Sequence, residues 1–247
     1  DVASMAKTST KVFVLEVMGR HAGWIAAAGA MASSKEMDLP IVILFPEIAF
    51  DKAKFLAKVG AMVKKYGYCT VVVSEGVKGA DGKFLSDQGL RDAFGHAQLG
   101  GVAPVIASIV KEGLNLKYHW GVADYLQRAA RHIASKTDVA QAYATGKAAV
   151  ELAIKGRNSV MPSIKRVSDK PYNWKIEVAE LKNVANKEKF MPRDFITADG
   201  FGITEKCRKY LAPLMLGEDY PPYKNGLPRY VRLKNVGVKK KLGEFKV

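Results

Sequence analysis

Arg20 follows a methionine and a glycine, and the triplet Met18-Gly19-Arg20 comes directly after the apolar run Val12, Phe13, Val14, Leu15 and Val17. A guanidinium stays charged and presents a planar fork of donors that suits phosphate. Near a helix start it would act beside backbone N–H groups that have no intrahelical partner and attract anions. Glu75 stands in the same way after a second apolar run, residues 69–74, with Gly76 behind it. Its carboxylate could accept hydrogen bonds from hydroxyl groups. A third segment, Tyr125-Leu126-Gln127-Arg128, is followed by Arg131 and His132 and concentrates positive charge at one turn. The two cysteines have no histidine or cysteine neighbour at ligand spacing, and no zinc pattern occurs.

These residues can meet only if the elements that carry them end on one side. Residues 11–17, 41–45 and 69–74 are apolar and mostly β-branched, as buried strands of a parallel sheet are. Residues 24–34 and 52–66 read as helices between them. The second has Asp51 as N-cap, Gly67 at its end, and Phe55, Leu56, Val59, Met62 and Val63 at helical spacing. Strands alternating with helices imply parallel pairing through right-handed crossovers. Arg20 and Glu75 then lie past the carboxyl ends of strands in one sheet, where open α/β sheets bind ligands.

Residues 2–9 read as the end of a helix. Residues 78–98 form a charged excursion with a turn at Asp81-Gly82, and His96 in it reads as a structural polar residue. A helix is predicted over 99–114, with Pro104 early and Gly113 near its end, and a fourth strand over 117–126. A long helix over 135–156 has Asp138 as N-cap or first-turn carboxylate. Its apolar stripe runs through Val139, Ala142, Tyr143, Gly146, Ala149, Val150 and Ala153. Strands at 159–167 and 174–181 flank a turn containing Pro171. Residues 186–199 read as loop, and 204–216 as a helix capped by Thr204. The basic tail from 221 interleaves Tyr223, Tyr230 and Phe245. It alternates like a strand at 230–233 and again at Val236 and Val238, and is expected to pack on the domain or on a neighbour.

Hydrophobic residues make up 48% of the 247, ample for a core. No apolar run is long enough to span a membrane as a helix, and residues 1–7 show no signal-peptide pattern. Cys69 and Cys207 are far apart in sequence. A reduced, cytoplasmic protein is expected. The net charge of +15 fits an anionic partner, a pocket for phosphorylated substrates, or balance by a more acidic segment. Nucleic-acid binding is disfavoured, because the strand-end cluster has a simpler use.

The stretch E-V-M-G-R-H-A-G-W, residues 16–24, resembles the Met-Gly-Arg turn of the 6-phosphofructokinase family. S-E-G at 74–76, Y-L-Q-R at 125–128 and A-A-R-H-I-A-S-K-T-D at 129–138 match in the same order. The style is that of the pyrophosphate-dependent members. The resemblance implies a Rossmann-like three-layer α/β sandwich with a mainly parallel sheet. It implies a fructose-6-phosphate-binding domain over 1–138 and a segment over 139–200 that returns to the phosphate-donor domain. Residues 201–247 would form a C-terminal helix and basic tail packed on the domains or on a neighbouring subunit.

Activity would be phosphoryl transfer to the 1-hydroxyl of fructose 6-phosphate, reversibly, from pyrophosphate with Mg2+. By resemblance Met18, Gly19 and Arg20 line the sugar-phosphate site, Glu75 holds sugar hydroxyls, Tyr125 and Arg128 grip the 6-phosphate, and Leu126 and Gln127 between them are substrate-binding. Lys11 stands where the family has an arginine that reaches into a neighbouring subunit; lysine keeps the charge and loses the fork. Ala129-Ala130 replace the Gly-Gly usual in ATP-using bacterial enzymes, which leaves the path after Arg128 open. A homodimer or homotetramer is expected.

The family's G-G-D and T-I-D-N-D motifs, which shape the donor site, help hold magnesium and supply the general-base aspartate, do not occur in these residues. The chain is therefore expected to be a C-terminal portion that binds substrate and does not catalyse transfer alone. Two further readings stay open: an ATP-dependent 6-phosphofructokinase, and a non-catalytic sugar-phosphate-binding regulatory subunit.

Overall fold

The computed structural model describes residues 2–86 and 101–237, with 239, 241 and 243. His96, the end of the 78–98 excursion, the first residues of the predicted 99–114 helix, Val238 and Phe245 lie outside the described residues.

Four strands, β1 (Val12–Val17), β2 (Ile41–Leu44), β3 (Cys69–Ser74) and β4 (Tyr118–Val122), form a parallel sheet in the order β2-β3-β1-β4. β1 is central, so its carboxyl end lies beside two others: Val17 is opposite Ser74, and Glu16 is opposite Val122. The crossovers carry α2 (Trp24–Gly29), which follows α1 (Val2–Thr8), and then α3 (Lys52–Tyr66) and α4 (Val102–Leu114). The Asp51 side chain accepts from the Lys54 N–H at 3.0 Å and starts α3; Gly67 closes it. α2 is shorter than its predicted span and continues as a 3-10 turn, Ala30–Ala32.

Alternation along the strands makes two cores. Val12, Val14, Val42, Val71 and Val73 pack with Phe55 and Val59 of α3 and Ala103, Ile106 and Val110 of α4. Val17, Ile43, Phe45 and Val72 face the other way, onto Ala26, Ala27, Phe195, Cys207 and Leu211. The result is a three-layer α/β sandwich around a parallel sheet. Each fully buried Val or Phe contributes roughly 1.5–3 kcal/mol, so the two cores hold the strand ends in register.

A carboxylate breaks the apolar pattern of β1. Glu16 shares the face of Val12 and Val14 and is 2% exposed. Its carboxylate accepts from the Gly101 N–H at 2.9 Å and the Ala103 N–H at 2.8 Å. It therefore takes two orphan donors of the α4 start and faces the positive end of the helix dipole.

The predicted 117–126 strand ends at Val122. Asp124 has φ 42° and turns the chain, and a single helical turn, α5 (Leu126–Ala129), follows with Tyr125 as its N-cap. A 3-10 turn, Arg131–Ile133, leads into α6 (Lys136–Ile154). Ser135 is its N-cap, accepting from the Asp138 N–H at 3.1 Å, and Asp138 sits in the first turn. The apolar stripe expected on α6 is not its packed face: Tyr143 is 74% and Val150 59% exposed, while Gln141 is buried and donates to the Tyr172 hydroxyl at 2.7 Å. β5 (Val160–Asp169) and β6 (Tyr172–Glu180) form an antiparallel hairpin about Lys170-Pro171.

After α7 (Leu181–Val184), residues 186–199 are loop apart from a 3-10 turn, Arg193–Phe195. α8 (Glu205–Leu211), capped by Thr204, packs on the sheet through Cys207 and Leu211. A small hairpin, β7 (Tyr223–Lys224) and β8 (Leu227–Pro228), comes last. The alternation at 230–233 makes no strand, and Val231 and Leu233 are exposed.

Candidate functional site

The loop after β1 carries three of the residues singled out by the sequence, and side chains from other elements hold its backbone. The Met18 N–H donates to Gln127 Oε1 at 3.0 Å. The Gly19 and Arg20 N–H groups both donate to Glu75 Oε1, each at 3.1 Å. Glu75 is placed by β3, whose backbone continues beside β1 through the Glu75 N–H on the Val17 carbonyl at 2.9 Å.

Packing at this loop is close enough to explain two glycines. A Cβ on Gly76 would lie 1.3 Å from the Arg20 carbonyl oxygen, so the loop rests on the Glu75-Gly76 backbone. A Cβ on Gly19 would lie 2.6 Å from the Ala22 carbonyl oxygen and 2.9 Å from Ser74 Oγ. That hydroxyl is fully buried and has no hydrogen-bond partner among the described residues. Arg20 itself has φ 48°, and its side chain lies at the surface.

Sequence reasoning expected N–H groups open to a phosphate at the start of the next helix. The structure gives one of them a protein partner. The Gly23 N–H is taken by Glu47, at 2.9 Å to Oε1 and 3.2 Å to Oε2, and α2 is only 6 residues long. Glu47 Oε1 also accepts from the Met191 N–H at 3.0 Å, joining the loop before α8 to this edge. Glu47 was missed. Its signal was available, since it follows the Ile41–Leu44 strand much as Glu75 follows Cys69–Ser74.

Arg128 lies on α5, exposed, with its guanidinium 5.5 Å from the Tyr125 ring centroid. Tyr125 and Leu126 are also exposed, and Gln127 is half-buried against the loop. Arg131 takes a different part: it donates to the Asp219 carbonyl and, at 3.0 Å, to Asp219 Oδ1. It ties the C-terminal segment to the start of α6. A hollow of about 370 Å³ between α5 and α6 is lined by Gln127, Arg128, Arg131, Asp138 and Tyr143, among others.

His21, next to Arg20, stacks on Phe84 with centroids 5.5 Å apart, and its Nδ1 lies 2.5 Å from Glu188 Oε1. Neither contact was legible in sequence. Met18, Gly19, Arg20, Glu75 and Gln127 are thus joined by direct hydrogen bonds, and Tyr125, Leu126 and Arg128 share the segment of Gln127. Lys11 is not brought to them. It is exposed at the opposite end of β1. Among the described residues no group of three or more His, Cys, Asp or Glu side chains could hold a metal ion.

The arrangement has known relatives. A pyrophosphate–fructose 6-phosphate 1-phosphotransferase of Halomonas elongata is 65% identical over 247 residues, covering 100% of this chain and 59% of the relative. The enzyme of that name from Methylococcus capsulatus is 66% identical over 242 residues, covering 98% of this chain and 58% of its own length. A crystal structure of a pyrophosphate-dependent phosphofructokinase from Nitrosospira multiformis superposes with a TM-score of 0.86 at 71% identity, covering 100% of this chain and 58% of that one. The chain therefore spans somewhat under three-fifths of the length of these relatives. The family model described as phosphofructokinase matches residues 1–153, a span that contains the parallel sheet, the loop after β1 and the Arg128 segment, and the chain belongs to the phosphofructokinase family.

Proposed function

We propose that this chain supplies the sugar-phosphate side of a phosphoryl transfer to the 1-hydroxyl of fructose 6-phosphate. One observation carries the reading. The Met18–Arg20 loop, Glu75 and the Arg128 segment converge at the carboxyl ends of three adjacent parallel strands, linked by direct hydrogen bonds. Arg128, beside Tyr125, takes the 6-phosphate through charge-assisted hydrogen bonds. Glu75 keeps Oε2 for a sugar hydroxyl while Oε1 holds the loop. Arg20 lies near the transferred group, where negative charge spreads over the equatorial oxygens.

Pyrophosphate is the donor we favour, because the relatives that span the whole of this chain carry it in their names. The donor groups, the general-base aspartate and the magnesium ligands belong, on this reading, to the part of those relatives that this chain does not match. What these residues do is bind the acceptor, orient its hydroxyl and neutralise phosphate charge, which is most of what phosphoryl transfer asks of a protein. Assembly as a homodimer or homotetramer, with Lys11 near a contact, is part of the same proposal.

The test is titration calorimetry of fructose 6-phosphate against the intact protein and its Arg128→Ala variant, with a transfer assay offering pyrophosphate or ATP. Losing a charged hydrogen-bonding partner should weaken binding roughly 10- to 100-fold. Equal affinity in both proteins would refute the assignment of Arg128, and transfer from ATP alone would refute the donor.

A further inference from the structure

We infer that Gln127 is a positioning residue for the sugar-phosphate site, acting as the latch that sets Arg128 against the Met18–Arg20 loop. The inference rests on the site reading above and deepens it. It also revises the part that the family resemblance gave Gln127, from binding substrate to holding the protein's own backbone.

Backbone pairing between β1 and β4 runs out just before the site. The last such bond joins the Ala123 N–H to the Glu16 carbonyl at 3.1 Å. Asp124 then turns the chain with φ 42°, and α5 is 4 residues long. A single helical turn has little stability of its own. Packing supplies little more, since Tyr125 is 65% and Leu126 72% exposed. What fixes α5 over the end of β1 is the Gln127 side chain, whose Oε1 receives the Met18 N–H at 3.0 Å.

Arg128 is the next residue, so any drift of α5 carries its guanidinium along. Met18 begins the loop whose next two N–H groups are held by Glu75. One amide oxygen thus registers the two halves of the site against each other, where misplacement by about 1 Å can cost a large factor in productive binding.

The experiment compares Gln127→Leu with Gln127→Glu in the intact protein. Leucine keeps a good helix former and removes the acceptor; glutamate restores an oxygen at the same reach. Two readouts separate the latch from the site. Hydrogen exchange at the Met18 amide, without ligand, should accelerate about tenfold in Gln127→Leu and return towards wild type in Gln127→Glu. The fructose 6-phosphate dissociation constant should rise roughly five- to tenfold in Gln127→Leu, and Gln127→Glu should recover part of that loss, its added negative charge opposing the phosphate. The pyrophosphate KM should stay within about twofold in both.

Unchanged Met18 exchange in Gln127→Leu would overturn the latch. Faster exchange with unchanged sugar-phosphate affinity would overturn its functional role, as would equal loss for both substrates without rescue by glutamate. Failure of the wild-type protein to bind fructose 6-phosphate would instead overturn the site reading, with the exchange measurement still deciding whether the latch exists.

Discussion

Replacing Glu16 by glutamine tests how the central strand is coupled to α4. The carboxylate is 2% exposed and accepts two backbone N–H bonds, from Gly101 at 2.9 Å and Ala103 at 2.8 Å. Glutamine has the same size but only one acceptor oxygen, so its NH2 group must face one of the two donors. One buried N–H is then left without a partner, at a cost of about 1–3 kcal/mol. The surviving bond loses its charge, and the helix start loses an anion; near a partly buried terminus that adds about 1 kcal/mol or more. A central figure is about 3 kcal/mol, which for a chain of this size corresponds to a fall in Tm of roughly 6–12 °C. Differential scanning calorimetry measures the fall, and hydrogen exchange at Ala103 locates it, since loss of the cap should raise exchange there before the strands respond. A Tm within about 2 °C of wild type, with Ala103 exchange unchanged, would refute the capping role.

Gly76→Ala would push a methyl group into the Arg20 carbonyl, 1.3 Å from the ideal Cβ position, so the loop must lift off β3. Fructose 6-phosphate affinity should fall by about 30-fold or more while the far-ultraviolet circular dichroism stays native; unaltered affinity would show that the loop position does not matter. The two thiols give a pH prediction. Burial pushes the Cys69 thiol up to about 12 and the Cys207 thiol up to about 11. Between an unfolded thiol value near 9 and these values, the unfolded chain has released protons that the native chain retains. Stability should therefore fall as pH rises through that window. Dithionitrobenzoate at pH 8 should label both cysteines only as fast as the protein opens; rapid labelling of Cys69 would contradict its burial.

Elements whose composition and boundaries agreed were legible in the sequence. α3 begins and ends where Asp51 and Gly67 said it would, and β3 matches its Val-rich run. The turn at Pro171 separates β5 and β6 as expected. Errors arose where pattern was present and its covering partner was not knowable. Tyr118, Trp120, Val122 and Tyr125 predict a strand over 117–126, yet the Asp124 backbone breaks it. On α6 the period was right and the face was wrong, because Gln141 turns inward to Tyr172. At the site, the residue types were readable and the internal contacts were not. Glu16 could be seen as part of a pattern, but its task appears only once the start of α4 is located. Nothing in the sequence places Gln127 beside Met18, where its side chain accepts the Met18 N–H.

Those internal contacts also give the site a direction. The N–H groups of Met18, Gly19, Arg20 and Gly23 are occupied by Gln127, Glu75 and Glu47, so the loop is no open cradle for an anion. Two of those three acceptors are carboxylates, and a phosphate brought close to them would meet like charge in a partly desolvated setting, where repulsion is strong. On the proposed reading the phosphate end of the sugar belongs over α5, with Arg128, and the hydroxyl end belongs by Glu75. Gln127 is neutral and stands between the two. A charged residue in its place would extend the Glu75 field towards the phosphate, or draw the phosphate onto the loop. An uncharged acceptor holds the Met18 N–H without doing either.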